Sequence, residues 1–247
     1  METKQATRIQ TSVLNGVEKK VLIWIANRLP QWVTSDMMTV VGILGSCLVF
    51  TGFVLSNYDL NWLWLSSGGL IVNWFGDSLD GTIARVRRQQ RPKYGYYLDH
   101  NVDVVCEGLM FVGAGLSPIF DLPLALMCFI LYLAMTVYVT INAHLKSEFK
   151  LTYAALGPTE FRILVILMNL TYLYITPLHT WCAGTCDIFG HTMYITVTNI
   201  FALIILVLLV VIYIVSFLKD LNYFAELEPL DEARKRDLTQ EPTNAKE

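Results

Sequence analysis

Long apolar segments constrain the fold of this chain more than any other feature of its sequence. They lie at about 36–56, 61–86, 95–117, 122–145, 160–177 and 192–218, and about 18 or more apolar residues in succession are typical of a membrane-spanning helix. Of the 247 residues, 54% are hydrophobic and only 16% are charged, whereas a soluble domain has about 25% charged residues. We therefore predict an all-α integral membrane protein with six transmembrane helices.

The ends of the chain are more polar than its middle. Residues 1–30 are predicted to form an N-terminal segment with an amphipathic helix, over 11–29, that lies in the membrane interface and ends at Pro30. Residues 31–221 then form the six-helix membrane domain, and residues 222–247 form a polar, partly disordered cytoplasmic tail.

Positive charge is distributed unevenly between the two sides of this layout. All 18 Lys and Arg residues fall in the N-terminal region, the 86–94 loop and its edges, the 146–159 connection with the start of the fifth helix, and the tail with its edge. The connections at 57–60, 118–121 and 178–191 contain none. Because cytoplasmic loops are enriched in Lys and Arg, the pattern predicts a multi-pass protein with both termini in the cytoplasm. A plasma or inner membrane is expected because the chain is short.

Four aspartates occur in or beside the second and third apolar segments, where a carboxylate costs about 2.5–3.5 kcal/mol to insert. Helical spacing gives each pair a common face with small residues. The first face carries Asp77, Asp80, Gly81 and Ala84, and the second carries Gly95, Asp99 and Asp103. A short loop joins the two helices, so they run antiparallel and the carboxylates converge at one depth, in a cavity open to the cytoplasm.

Four carboxylates that face one another need cations, because they cannot all stay ionised alone. Oxygen ligands suit Mg²⁺ or Mn²⁺, and two such ions would balance four negative charges. A pair of metal ions is a common arrangement for phosphoryl displacement, and Arg85 offers a guanidinium suited to phosphate.

Other interpretations of the aspartates stay open. They include a structural ionic cluster with nearby cations, an ion- or proton-transport site, and a non-catalytic membrane scaffold. The nearby cations are Arg85, Arg87, Arg88, Arg91 and Lys93. Beside a membrane these cations favour anionic lipid head groups and a diphosphate over nucleic acid.

The same residues resemble the motif of the CDP-alcohol phosphotransferase family, Asp-x2-Asp-Gly-x2-Ala-Arg, eight or nine residues, Gly-x3-Asp-x3-Asp. The motif is complete from Asp77 to Asp103. The resemblance implies that Asp77, Asp80, Asp99 and Asp103 bind metal and that Asp103 is also the catalytic base. It implies a CDP-donor site that includes Asp80, Gly81, Ala84, Arg85 and Gly95, release of CMP, and a homodimer.

The resemblance leaves the acceptor alcohol open. Arg162 and Lys146 resemble the basic residues that bind acceptor phosphate in phosphatidylinositol-phosphate synthases, which favours CDP-diacylglycerol as donor and a polar acceptor such as inositol phosphate. The sequences Asp99-His100 and Gly157-Pro158-Thr159-Glu160 favour instead the enzymes that move phosphocholine or phosphoethanolamine to diacylglycerol. His100 points away from the Asp99 face on a helix, so a supporting role is preferred over that of base.

Cysteine and histidine cluster in the connection on the side opposite the aspartates. His179, Cys182, Cys186 and His191 leave open a zinc site, a disulfide between the two cysteines or free thiols, which we favour.

Overall fold

The structure is a computed structural model that describes residues 7–9, 15–146, 148–150, 157–188 and 191–230. It is an all-α protein with four short strands. The helices are α1 (Asn15–Arg28), α2 (Ser35–Leu55), α3 (Leu63–Val86), α4 (Pro92–Gly115), α5 (Leu122–Lys146), α6 (Pro158–Tyr174), α7 (Thr176–Thr180) and α8 (Val197–Leu227), with a 3₁₀ turn at Leu60–Trp62. The strands are β1 (Thr7–Ile9), β2 (Glu148–Lys150), β3 (Cys182–Ile188) and β4 (His191–Thr196). Two compact units divide after Leu206, within α8.

Each of the six apolar segments contains a long helix, and the largest difference from prediction concerns the last one. Residues 191–196 form β4 instead, which pairs antiparallel with β3 in a hairpin. The helix after it starts at Val197 and continues to Leu227, so α8 includes residues 222–227 of the predicted tail. No proline or glycine interrupts residues 197–228, and Pro229 is the first residue that cannot continue a helix.

Three helices in the described ranges are long and apolar enough to cross a membrane: Ser35–Leu55, Leu122–Leu145 and Val197–Leu227. Helices α3 and α4 have 24 residues each, or about 36 Å at 1.5 Å per residue, but their aspartates lower their hydrophobicity. Helix α6 is shorter, with 17 residues. The structure therefore supports a membrane protein, and the count of six spans stays a prediction.

Helix α1 packs along α3. Its buried Leu22 and Ala26 contribute to one apolar cluster with Leu79 and Ile83 of α3. At the end of α3, the Arg87 guanidinium donates to backbone carbonyls at the end of α1 and in the following turn: those of Leu29, Pro30, Gln31 and Val33. Because four carbonyls share this guanidinium, Arg87 joins α1 to the helix that carries Asp77 and Asp80.

Glycines bring α2 and α3 into backbone contact. A Cβ at Gly45 would overlap the backbone of Asn73, and one at Gly76 would overlap that of Gly42. Small residues permit this distance between helices within a membrane. As a result, the start of α2 lies directly against the turns of α3 that carry the aspartates.

The hairpin of β3 and β4 contains the two cysteines of the 178–191 connection. Cys182 and Cys186 are both exposed and both are free thiols. The structure therefore has no disulfide between them, in agreement with the preferred interpretation. The side chain of His191 is outside the described part of the chain, so the zinc hypothesis stays untested.

Candidate metal and substrate site

Three of the predicted aspartates converge where α3 and α4 face each other. One carboxylate oxygen from each of Asp77, Asp99 and Asp103 lies within 4.8 Å of the other two. Asp77 comes from α3, whereas Asp99 and Asp103 lie one turn apart on α4. Three carboxylates at this separation fit a hard divalent ion such as Mg²⁺ or Mn²⁺, which prefers oxygen ligands.

Asp80 lines the same pocket but lies outside this group of three. Its Oδ2 accepts a hydrogen bond from Thr39 Oγ1 at 2.9 Å, and its Oδ1 accepts one from the backbone N–H of Gly81. Its backbone carbonyl accepts from Ser35 Oγ at 2.9 Å. The start of α2 thus orients Asp80 at the rim of the pocket, one helical turn from Asp77.

Arg162 of α6 reaches into the carboxylate cluster. Its Nη2 donates to Asp77 Oδ2 at 2.7 Å and its Nε donates to Asn73 Oδ1 at 2.8 Å. The Arg162 side chain is only 15% exposed, so positive-inside anchoring does not explain its position. A cation that contacts a metal-ligand candidate is placed to bind an anionic substrate beside it.

The buried amide of Asn73 holds Arg162 in this orientation. Its Nδ2 donates to the Gly42 carbonyl and to Ser46 Oγ, both at 3.0 Å, which leaves Oδ1 directed at Arg162. Since both amide ends have partners, the side chain has one preferred orientation. Asn73 therefore links the α2–α3 contact to the position of the arginine.

The residues predicted to bind the CDP donor lie in the last turns of α3 and the first turn of α4. Arg85 is exposed and its Nη2 donates to Thr82 Oγ1 at 3.0 Å. A Cβ at Gly81 would lie 3.2 Å from Arg85 Nη1, whereas one at Gly95 would meet nothing within 4 Å. The absence of a side chain at 81 thus makes room for the Arg85 guanidinium, and Ala84 is partly buried on the same helix.

His100 and Lys146 were also predicted to contact the acceptor, and the structure describes the side chain of His100. The His100 ring packs against Tyr96, with centroids 4.0 Å apart, and its Nδ1 is 3.7 Å from Asp99 Oδ2. Lys146 is the last residue of α5, and its side chain is outside the described residues. Of the three candidates, the structure brings Arg162 into the cluster and places His100 at its edge.

A model of the CDP-alcohol phosphatidyltransferase family matches residues 32–218. The chain belongs to this family. The matched range contains the whole of the aspartate motif and α2 to α6. The protein is accordingly a membrane enzyme that transfers a phosphoalcohol group from a CDP-alcohol. No curated protein matches the chain.

Several residues that line the pocket were not predicted from the sequence. Thr39, Asn73, Val102 and Cys106 line the pocket with the aspartates. Asn73 precedes Asp77 by four residues and therefore shares its helical face, so one more turn of the same face would have revealed it. Thr39 comes from α2 and has no sequence signal, because only the packing of α2 on α3 brings it to Asp80.

The loop between α3 and α4 of the enzyme is held by a contact with α2. Arg91 Nη2 donates to both carboxylate oxygens of Asp36, at 2.7 and 2.8 Å, and its guanidinium lies 3.9 Å from the Tyr94 ring centroid. The hydrogen bond to Asp36 raises the pKa of Arg91. Arg91 is thus paired with Asp36 and Arg87 with backbone carbonyls, which weakens the interpretation of the aspartates as one ionic cluster with these cations.

Proposed function

We propose that the protein transfers a phosphatidyl group from CDP-diacylglycerol to the hydroxyl of a polar, phosphorylated acceptor such as inositol phosphate, with release of CMP. The contact of Arg162 with Asp77 carries this proposal. It puts a guanidinium next to a candidate metal ligand, at 2.7 Å from Asp77 Oδ2. A phosphorylated acceptor bound there would hold its hydroxyl close to the carboxylates.

The donor binds, in this proposal, at the cytoplasmic ends of α3 and α4. Arg85 contacts its diphosphate, Gly81 makes room for the Arg85 guanidinium, and Ala84 and Gly95 leave room for the cytidine end. The exposure of Arg85 supports this role, because the guanidinium is accessible to a donor that arrives from the membrane surface. Anionic diphosphates bind guanidinium groups through paired hydrogen bonds.

Asp77, Asp99 and Asp103 would hold a divalent ion, with Asp80 as a further ligand to one of two ions. When bound, such ions neutralise charge on the diphosphate oxygens during displacement. We assign Asp103 the role of base. The acceptor oxygen attacks the β-phosphorus and its proton passes to Asp103, while the bond from phosphorus to the CMP oxygen breaks and CMP leaves with the electron pair.

The test measures CMP release by the purified enzyme with Mg²⁺ or Mn²⁺, CDP-diacylglycerol and a set of acceptors. We expect turnover with inositol phosphate or another phosphorylated alcohol and little with the same alcohol lacking phosphate. In Arg162→Ala the acceptor KM should rise about 10- to 100-fold, as expected for a lost charge-assisted contact. The donor KM should change by less than about twofold.

The matched control is Lys219→Ala, which removes a positive charge outside the pocket near the end of α8 and should leave both KM values unchanged. Equal turnover of phosphorylated and unphosphorylated acceptors would refute the assignment of Arg162 to acceptor phosphate. A complete absence of CMP release in the presence of either metal would refute the metal-dependent reaction itself.

A second candidate is transfer of phosphocholine or phosphoethanolamine from its CDP ester to diacylglycerol. The 3.7 Å approach of His100 to Asp99 favours it, since it adds an imidazole beside the carboxylates. The same assay with CDP-choline or CDP-ethanolamine and diacylglycerol separates the two. Turnover with these donors alone would replace the phosphatidyl transfer that we prefer.

We further propose six membrane spans with both termini in the cytoplasm, and a homodimer. The first rests on the distribution of the 18 cationic residues, and the second on the family resemblance. Cysteine labelling from each side of sealed vesicles tests the topology: Cys182 and Cys186, both exposed in β3, should react only from the non-cytoplasmic side.

A further inference from the structure

Glu18 of α1 makes a set of contacts that the reaction as proposed does not use. Its Oε1 accepts hydrogen bonds from Trp74 Nε1 at 2.8 Å, from Thr159 Oγ1 at 2.8 Å and from Ser78 Oγ at 3.4 Å. Trp74 and Ser78 belong to α3 and Thr159 belongs to α6. One carboxylate oxygen of the N-terminal helix therefore joins two other helices.

These contacts lie at the same level along α3 and α6 as the candidate metal and substrate site. Trp74 and Ser78 flank Asp77 along α3, and Thr159 lies three residues before Arg162, hence on the same side of α6. The Glu18 contact thus joins α3 and α6 at the level where Asp77 and Arg162 meet. All three hydrogen bonds are partly buried, where a bond to a charged acceptor is stronger than at an exposed position.

The Glu18 contact with the first turn of α6 is independent of the hydrogen bonds that Arg162 makes. Arg162 itself holds the turn through Asn73 and Asp77, but those bonds change if the guanidinium binds the acceptor phosphate. The hydrogen bond between Thr159 and Glu18 involves neither partner of Arg162. Arg87 separately anchors the other end of α1 to α3, so Glu18 extends from a helix whose own position is secured.

We propose that Glu18 is a positioning residue for the acceptor: its carboxylate holds the first turn of α6, and with it Arg162, at a constant height against α3. This inference rests on the proposed function of Arg162. It makes the N-terminal helix part of acceptor recognition, although α1 contributes no residue to the pocket lining. The effect requires a hydrogen-bond acceptor at position 18, which a glutamine side chain would also supply.

Hydrogen–deuterium exchange of the purified protein tests the physical link without any substrate. In Glu18→Ala, amide exchange of the peptide that spans 159–165 should accelerate about tenfold, since local opening becomes easier. Glu18→Gln keeps an accepting oxygen and should exchange like the wild type. Thr159→Val is the matched change on the other side and should reproduce Glu18→Ala, with no further acceleration in the double variant.

Lys20→Gln is the control for charge, because it alters an exposed position in the same turn of α1. Its exchange should equal that of the wild type. The proposal fails if Glu18→Ala and Thr159→Val both leave exchange of the 159–165 peptide unchanged, or if their effects add in the double variant. Should Glu18→Ala not fold, Thr159→Val alone decides the same question.

Kinetics then test the consequence for the acceptor. Glu18→Ala and Thr159→Val should raise the acceptor KM about 5- to 10-fold, as a lost hydrogen bond to a charged group predicts. The donor KM and kcat should stay within about twofold of the wild type, and Glu18→Gln should restore the acceptor KM. If a folded Glu18→Ala or Thr159→Val variant instead has a lower kcat and an unchanged acceptor KM, the positioning role is overturned.

The two readouts separate this inference from the proposed function. If no acceptor is turned over by the wild type, the proposed function fails while the exchange experiment still reports on the Glu18 contact. If acceptors are turned over and the exchange of α6 responds, but the acceptor KM does not, the contact is structural and the positioning role is refuted.

Discussion

Helices α3 and α5 have nearly equal lengths, 24 and 25 residues, yet α3 is much more buried than α5. Helix α3 buries ten residues, of which four are polar: Ser66, Ser67, Asn73 and Thr82. Helix α5 is more apolar, but only 17% of its most apolar 18-residue window is buried. In a membrane the apolar surface faces lipid, and polar groups turn inward where other helices satisfy their hydrogen bonds.

Catalysis should depend on polar residues of α3 and not on those of α5. Asp77→Asn on α3 should lower the rate of CMP release about 10³-fold, as expected when a charge that supports the transition state is lost. Thr136→Val is the counterpart on α5, where the hydroxyl donates only to the Tyr132 carbonyl of its own helix. It should leave the rate within about twofold, and comparable losses in both variants would contradict the division.

A side chain added to α3 where α2 packs against it should destabilise the protein. A Cβ at Gly69 would lie 2.6 Å from the Val49 backbone nitrogen, whereas one at the adjacent Gly68 would meet nothing within 4 Å. Gly69→Ala should therefore lower the free energy of unfolding by about 3 kcal/mol, at the upper end for overpacking. The measurement is an SDS titration in bicelles.

Gly68→Ala is the control and should be neutral or slightly stabilising, since alanine is the better helix former. Equal destabilisation by the two changes would contradict the assignment of the effect to the short distance between α2 and α3 at Gly69.

Truncation of an apolar side chain should also matter more on α3 than on α5. Leu70 is 1% exposed and Ile130 is 65% exposed. Leu70→Ala should cost about 2–3 kcal/mol in the same titration because it leaves a cavity. Ile130→Ala should cost less than about 0.5 kcal/mol, since lipid fills the space; a larger cost would indicate a protein partner on that face of α5.

Divalent metal should stabilise the protein through the carboxylates of α3 and α4 alone. At a concentration tenfold above the dissociation constant, Mg²⁺ or Mn²⁺ should add about 1.4 kcal/mol to the unfolding free energy, seen as a higher thermal midpoint that EDTA reverses. Asp103→Asn should reduce the shift, and Ile130→Ala should retain it in full. A shift of equal size in Asp103→Asn would locate metal binding elsewhere.

The sequence predicted the long helices and the approach of Asp77, Asp99 and Asp103 because both depend on local spacing. Asp99 and Asp103 share a face through their separation of four residues, and the short loop to α3 forces Asp77 to face them. The contacts of Thr39, Glu18 and Arg162 have no such signal. Each of these contacts joins two helices that are distant in the sequence. Which residues meet therefore depends on which helix faces pack together.

The structure differs from the sequence prediction at Gly81 and in the hairpin of β3 and β4. Gly81 was expected to make room for the donor, and the structure fills the space beside it with the Arg85 guanidinium. Residues 178–191 were predicted as a connection and residues 192–196 as helix, whereas the structure pairs Cys182–Ile188 with His191–Thr196 in the hairpin of β3 and β4. Strands as short as these depend on pairing with each other and have a weak local signal.

The apolar segments and the motif from Asp77 to Asp103 are sufficient to determine a helical membrane protein with carboxylates gathered between two antiparallel helices. Their spacing along the chain sets the helix faces, and the cost of a charge in lipid directs those faces inward. Only the tertiary structure decided that Asp80 bonds Thr39 rather than joining the other three, that Arg162 meets Asp77, and that Glu18 joins α1 to α3 and α6. These contacts depend on the approach of α2 to α3 through glycine and on the height of α6, which side-chain packing sets and helical periodicity does not.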